Sequence, residues 1–417
     1  MKAIRDFDWM ICLTVALLCI LGLALIYSVF YPHEDDTVNH TNLLYLKKQL
    51  LWILIGCIAM FIGFTIPFRY FETLAYMYYI ICVVLLVGVL FITRTGQAHR
   101  WISLGPISIQ PSEFTKIALL FLWARILSGY TRNPNQLKRL VIVLGVFIVP
   151  FLFVLKEPDL GTALVFFAML LPVLYWRGFR GLHILFVLSP FISSILLIYG
   201  QEIAQNHKTL PFGIYIVLIL IIAYRRRAFL LESLLLVASN VGVGLVLPGL
   251  WSNLKEYQQD RILNFLNPGS DKLGAGWQVF QSKIAIGSGG ITGKGYLEGT
   301  QKALEFLPAK HTDFVFSVLG EELGFIGALA ILVLFFILIY KALALAEKSR
   351  SEFASTVCIG IAAYFFFQVF INVAMTTGIA PVTGIPLPFI SYGGSSIVVS
   401  FFFIGFLLNC SVRWFEY

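Results

Sequence analysis

Four stretches of the sequence combine residue types that can hold an anion or move a proton. The first runs from Gly96-Gln97-Ala98-His99-Arg100-Trp101 to Gln110-Pro111-Ser112-Glu113-Phe114-Thr115-Lys116. Pro111 and Ser112 suit a helix start, where proline forfeits no needed N–H. Glu113 and Lys116 stand three apart, so they share one helix face and can pair. A charge at the centre of a membrane span costs about 2.5–3.5 kcal/mol on insertion scales. The pair is therefore either a structural ion pair turned inward or part of a site. Trp101 is either an interfacial aromatic or a substrate contact. The second stretch, Lys156-Glu157-Pro158-Asp159-Leu160-Gly161-Thr162, reads as a tight turn between apolar runs. Asp159 there either caps the next helix or binds a cation or substrate.

The third stretch is a long polar segment rich in glycine and lysine. It contains Arg261, Asn267-Pro268, Leu273-Gly274-Ala275-Gly276-Trp277-Gln278 and Gln281-Ser282-Lys283-Ile284-Ala285-Ile286-Gly287-Ser288-Gly289-Gly290. Gly293-Lys294-Gly295, Gly299-Thr300-Gln301 and Leu307-Pro308-Ala309-Lys310-His311-Thr312-Asp313-Phe314 follow. Glycines beside lysines let backbone amides and ammonium groups approach an anion closely. The segment is not a nucleotide P-loop, because Ser288 stands six before Lys294 and Gly295 follows it. Asp313, Ser317 and Glu321 are spaced by four along one helix face. A carboxylate beside an apolar wall has its pKa raised by desolvation, which suits a general base; the competing reading makes Asp313 a helix N-cap. In the fourth stretch, Thr376-Thr377-Gly378 through Pro381 and Gly384-Ile385-Pro386-Leu387-Pro388-Phe389-Ile390-Ser391-Tyr392-Gly393-Gly394-Ser395-Ser396, prolines and glycines forbid a continuous helix. Irregular backbone at membrane depth must be buried in protein or line a cavity, which points to a lipid-head-group site that includes Ser391.

The elements that position these stretches are membrane spans. Of 417 residues, 59% are hydrophobic and 12% charged, against about a quarter charged in a soluble domain, and mean hydropathy is +0.86. An ordinary soluble enzyme is excluded. Spans of about 20 apolar residues are expected near 10–30, 49–67, 75–92, 111–129, 139–155, 160–176, 183–199, 210–224, 229–250, 316–340, 353–374 and 392–411. The first lacks a small-residue cleavage site and reads as a span rather than a removed signal peptide. With the N-terminus inside, inner segments hold 16 Lys and Arg, short outer loops 6 and the long outer segment 7, with Lys116 inside a span. That bias places both termini in the cytoplasm. The fold class is therefore all-α, a polytopic bundle of 10–12 transmembrane helices with one long extracytoplasmic loop. Residues 1–417 read as a single membrane domain, with a hairpin near 205–250 and the loop over 251–315. The net charge of +8 is topological and gives no support to a nucleic-acid partner. Six cysteines lie in or against apolar runs and suggest neither disulfides nor a cysteine metal site.

In their order, these motifs resemble the SEDS family (shape, elongation, division and sporulation), the RodA and FtsW proteins of bacteria. The likeness rests on Arg100-Trp101 with Gln110-Pro111-Ser112-Glu113, on Glu157-Pro158-Asp159-Leu160-Gly161-Thr162, on Gln281 through Gly290, on His311-Thr312-Asp313-Phe314, and on Pro386 through Ser395. Short termini look more like RodA than FtsW. Ten spans are usual in the family, so the 205–250 hairpin is surplus, and Glu157 stands where the family often has Gln.

The resemblance implies a peptidoglycan glycosyltransferase of the bacterial cytoplasmic membrane that polymerises lipid II on its outer face, in cell elongation. It implies inverting transfer to the GlcNAc 4-hydroxyl with a lipid diphosphate leaving, and Asp313 as general base. Lys283, Lys294 and Arg100 are then candidates to stabilise the diphosphate, with a divalent cation (Mg or Mn) as a further candidate and no organic cofactor. Glu113 and Lys116 would shape the cavity, and Trp101 would contact sugar or prenyl chain. No Lys-Thr-Gly motif accompanies the single Ser252-to-Lys255 match, so cross-linking chemistry is absent. A class B penicillin-binding protein and other elongation-complex membrane proteins are the expected partners. Two other readings are a lipid II flippase, which would spread polar residues along a pathway, and a non-catalytic scaffold, which would not need Asp313.

Overall fold

A computed structural model describes residues 7–31, 41–91, 100–104, 107–129, 136–157, 159–202, 210–225, 230–252, 254, 256–266, 275–300 and 311–416. Gly96-Gln97-Ala98-His99, Pro158, Asn267-Pro268, Leu273-Gly274, Gln301 and Leu307 to Lys310 lie outside the described residues.

Apolar runs of this length satisfy their backbone polar groups internally as helices, and the regular structure among the described residues is helical apart from one small hairpin. The helices are α1 (Trp9–Val29), α2 (Thr41–Thr65), α3 (Phe68–Phe91), α4 (Pro111–Leu127), α5 (Gln136–Lys156), α6 (Leu160–Trp176) and α7 (Gly181–Glu202). They continue as α8 (Leu210–Arg225), α9 (Leu230–Ser252), α10 (Glu256–Leu266), α11 (Ala275–Gly289), α12 (Val315–Lys348), α13 (Glu352–Thr377) and α14 (Gly394–Val412). Strands β1 (Ile102–Leu104) and β2 (Ile107–Ile109) pair antiparallel, Ile102 opposite Ile109, and lead into Pro111 at the start of α4.

Among the described residues nine helices are long and apolar enough to cross a membrane. Each of the twelve expected spans falls on a helix. The three that miss the length are α4 and α6, of 17 residues each, and α8, of 16. At 1.5 Å rise per residue they reach about 25 Å, near the lower limit for a span.

The chain divides into two compact units, residues 1–177 with 278–417, and residues 178–277. In the first, Phe71 of α3, Phe121 of α4, Phe353 of α13 and Phe402 and Phe406 of α14 form one aromatic cluster with ring centroids 5.2 to 6.4 Å apart. Helix α12 breaks at Gly324, where φ is +63°, a conformation glycine adopts without steric cost. The loop after α11 docks on this break. Phe325 N donates to Gly290 O at 3.0 Å, Lys294 N to Glu321 O at 3.0 Å and Gly295 N to Glu322 O at 3.1 Å. Gly289 and Gly293 thus serve backbone-to-backbone packing.

The second unit holds α7 to α10, and α8 and α9 occupy the stretch read as an additional hairpin. Three of its buried polar side chains bond one another. Ser193 Oγ donates to Asn240 Oδ1 at 2.6 Å, while Asn240 Nδ2 donates to Ser189 Oγ at 2.9 Å and to Leu236 O at 2.7 Å.

Candidate functional site

Within the first unit, a cavity of about 690 Å³ is lined by Arg100, Trp101, Gln110, Glu113, Lys116, Asp159 and Asp313, together with Lys48, Trp52 and the 384–396 loop. Four helices present their N-terminal ends to it. Gln110 and Glu113 belong to the start of α4, Asp159 and Thr162 to that of α6, Thr312 and Asp313 precede α12, and Gly393 to Ser396 open α14. Helix N-termini carry partial positive charge and free N–H groups, so their convergence favours an anion.

Asp313 sits in the turn before α12. The cap of that helix is Phe314, with no side-chain cap bond, so Asp313 is not the N-cap. Asn372 of α13 fixes this turn by donating from Nδ2 to Asp313 O at 3.1 Å and to Ile385 O at 2.8 Å, which ties it to the proline-rich loop. Opposite lies Gly384 at φ +72°, where a Cβ would come within 3.4 Å of Asp313 Oδ2. A side chain there would be strained and would crowd the carboxylate.

Glu113 and Lys116 pair as their spacing predicted, Nζ to Oε1 at 2.6 Å, with Lys116 only 2% exposed. Lys116 also lies over the Tyr364 ring, 5.5 Å from its centroid. The second oxygen of Glu113, Oε2, is buried without a hydrogen-bond partner. Asp159 caps α6 by accepting from Thr162 N at 3.1 Å and Thr162 Oγ1 at 2.8 Å. It also accepts from Gln110 Nε2 at 2.7 Å, which joins the α6 cap to the start of α4. Arg100 donates from Nε to Glu157 O at 2.7 Å. Trp101 is 45% exposed on the cavity wall.

The other named residues stand elsewhere. Lys294 is outside the cavity lining, and its Nζ donates to Glu321 Oε1 and Thr300 Oγ1, both at 2.7 Å. Lys283 is exposed on α11 and packs against Gly378, at the carboxyl end of α13. Ser391 is buried, and its hydroxyl accepts from Leu387 N at 2.9 Å, holding the loop that continues to Tyr392.

Some of the lining lies outside the four stretches. Lys48 and Trp52 come from α2, where their spacing by four on one helix face was the available signal. Lys48 lies 6.0 Å from the centre of the Tyr45 ring. Tyr45 belongs to a cluster with Phe30, His311 and Tyr392, ring centroids 4.6 to 6.0 Å apart, directly beside the Asp313 turn. Burial chiefly, with Tyr45 beside it, pushes the Tyr392 hydroxyl above its ordinary pKa.

Among the described residues no three His, Cys, Asp or Glu side chains converge to hold a metal. Of the cavity carboxylates, Glu113 pairs with Lys116 through Oε1 and Asp159 caps α6.

The family model of FtsW, RodA and SpoVE, described as cell cycle proteins, matches residues 8–213 and 203–414. Peptidoglycan glycosyltransferase MrdB of Escherichia coli K12 is 37% identical over 356 residues, 85% of this chain and 82% of that one. A probable peptidoglycan glycosyltransferase FtsW of Trichlorobacter lovleyi is 33% identical over 98% of this chain and 94% of that one. A solved structure, described as the structural coordination of polymerization and crosslinking by a peptidoglycan synthase complex, superposes with TM-score 0.69 at 28% identity over 99% of both chains. MrdB and FtsW names both occur, so these likenesses do not separate the RodA-like from the FtsW-like branch. With a family model spanning nearly its whole length and relatives above 30% identity, the chain belongs to the SEDS family, the multi-pass membrane proteins FtsW, RodA and SpoVE.

Proposed function

We propose that the protein is a peptidoglycan glycosyltransferase that polymerises lipid II. The observation that carries this is one cavity in which a carboxylate, Asp313, shares the lining with three cations, Lys48, Arg100 and Lys116, and four helix N-termini. Relatives named peptidoglycan glycosyltransferases support it.

In this reading the acceptor sugar's 4-hydroxyl attacks the anomeric carbon of the donor glycan from the face opposite the leaving group. Its proton passes to the Asp313 carboxylate, a contribution of about 10²- to 10⁴-fold. The C–O bond to the lipid diphosphate breaks with inversion, and the departing oxygens gain charge. Lys48 and Arg100, with the helix N-termini, offer fixed positive potential to that charge. Lys116 is neutralised by Glu113 and positions the wall more than it binds the anion. Trp52 and Trp101 offer apolar faces for sugar or prenyl chain.

We place the cavity on the outer side of the cytoplasmic membrane with both termini inside, because lysine and arginine favour that orientation. A role in elongation and a separate class B penicillin-binding protein as transpeptidase complete the reading; the similar synthase complex supports a cross-linking partner.

The test is purified protein given lipid II, alone and with its transpeptidase, with cross-linking blocked. A glycan ladder that vanishes with Asp313→Asn while the protein stays folded supports a polymerase with Asp313 as base. Absence of a ladder, with lipid II instead crossing vesicles, would establish the flippase reading.

A further inference from the structure

Glu157 is a buried carboxyl that the proposed chemistry leaves unused. It follows α5 in the short turn to α6, it is 0% exposed, and neither of its carboxyl oxygens has a hydrogen-bond partner. Its backbone carbonyl nevertheless holds a cavity cation, because Arg100 Nε donates to it at 2.7 Å. That bond anchors the guanidinium on the residue whose own side chain is an acid. Two residues on, Asp159 faces the same cavity with its oxygens taken by Thr162 and Gln110.

We propose that Glu157 is a positioning residue for Arg100: its neutral carboxyl leaves the guanidinium at the cavity wall for a lipid diphosphate, and its ionised carboxylate draws that guanidinium away. The diphosphate as ligand rests on the function proposed above. Two charged groups act on the Glu157 carboxyl, Asp159 in its own turn and Arg100 from the segment before α4. Burial first and Asp159 second push its pKa up, against the lowering by Arg100, to about 8. An unbonded buried carboxyl is tolerated far better neutral than charged. Near neutral pH it therefore does not compete for Arg100. Ionised, it becomes an anion coupled to a guanidinium already tied to its backbone, and a charge-assisted pair forms at the expense of the ligand. The proton released goes to bulk solvent, and no covalent bond changes.

The experiment measures binding of farnesyl diphosphate to the full-length protein in detergent between pH 6.5 and 9.5. An Asp313→Asn background removes turnover and the titration of that carboxylate. The parent should bind about tenfold more weakly at pH 9 than at pH 7, as one titrating group near 8 requires. Glu157→Gln should abolish that dependence, and so should Glu157→Met, so that a folding failure of either leaves the other to decide. Arg100→Ala should bind weakly at both pH values with no alkaline loss. Alkaline loss that persists in the Glu157 variants, a parent that binds equally at both pH values, or one that binds at neither would overturn the proposal. Failure of the polymerase reading is distinguishable: lipid II would give no ladder while the alkaline loss of diphosphate binding, and its removal by Glu157→Gln, remained.

Discussion

Two regions of this membrane protein bury polar side chains among apolar helices, and they use them in opposite ways. In the unit of residues 178–277, Asn240 spends its amide on Ser189, Ser193 and the Leu236 carbonyl. In the other unit, polar groups at the starts of α4 and α6 front a cavity. Glu113 and Asp159 line the cavity, and Glu113 keeps one buried oxygen without a partner. A polar residue inside a membrane is by default a functional candidate, but interhelical hydrogen bonds there also act as glue between helices. The contrast supplies the criterion: buried polarity signals chemistry where it fronts a cavity, and cohesion where its hydrogen-bonding capacity is used up between helices.

The largest effect should come from splitting the buried ion pair. Glu113→Ala or Lys116→Ala strands an uncompensated buried charge, at a cost of about 3–5 kcal/mol. Exchanging the two residues should recover part of that loss; thermal unfolding of the four proteins in one detergent checks it.

A smaller effect follows from Glu157. The native state holds its proton more tightly than the unfolded chain, since its pKa is pushed up to about 8. The contribution is complete below the ordinary carboxylate range and is lost as the pH rises to about 8. Glu157→Gln should remove that slope, with a gain of up to about 4 kcal/mol at pH 8 if the whole shift is realised, less as solvent screens it. Unfolding measured at pH 5 and pH 8 reads the difference. A slope equal in wild type and variant would assign it to other groups.

The smallest effect belongs to the cohesive network. Asn240→Ala should cost about 0.6–1.7 kcal/mol, the range for interhelical hydrogen bonds in a bundle. Polymerisation by the folded fraction should stay within about twofold.

Much of this was legible in the sequence. The apolar runs located each helix that, among the described residues, is long and apolar enough to cross a membrane, and the spacing of Glu113 and Lys116 by three predicted their ion pair. Asp159 was readable as a cap because the side chain lies immediately before an apolar helical run. What the sequence hid depends on distant contacts. The glycine and lysine segment after α11 reads as an anion cradle, yet the break of α12 at Gly324 opens carbonyls that its amides fill, and Lys294 goes to Glu321. No periodicity announces that break. Lys48 and Trp52 sit in an ordinary apolar helix, and only the packing of α2 brings them to the Asp313 cavity. The contact between Gly384 and Asp313 joins residues far apart in the chain, which one sequence cannot reveal.

The most direct test of the contrast is the initial rate of lipid II polymerisation by Asp313→Asn and Asn240→Ala, side by side with wild type and normalised to folded protein. Asp313→Asn should lose about 10²-fold or more, while Asn240→Ala should keep a rate near wild type. Near-normal polymerisation by Asp313→Asn, or a collapse with folded Asn240→Ala, would contradict that contrast.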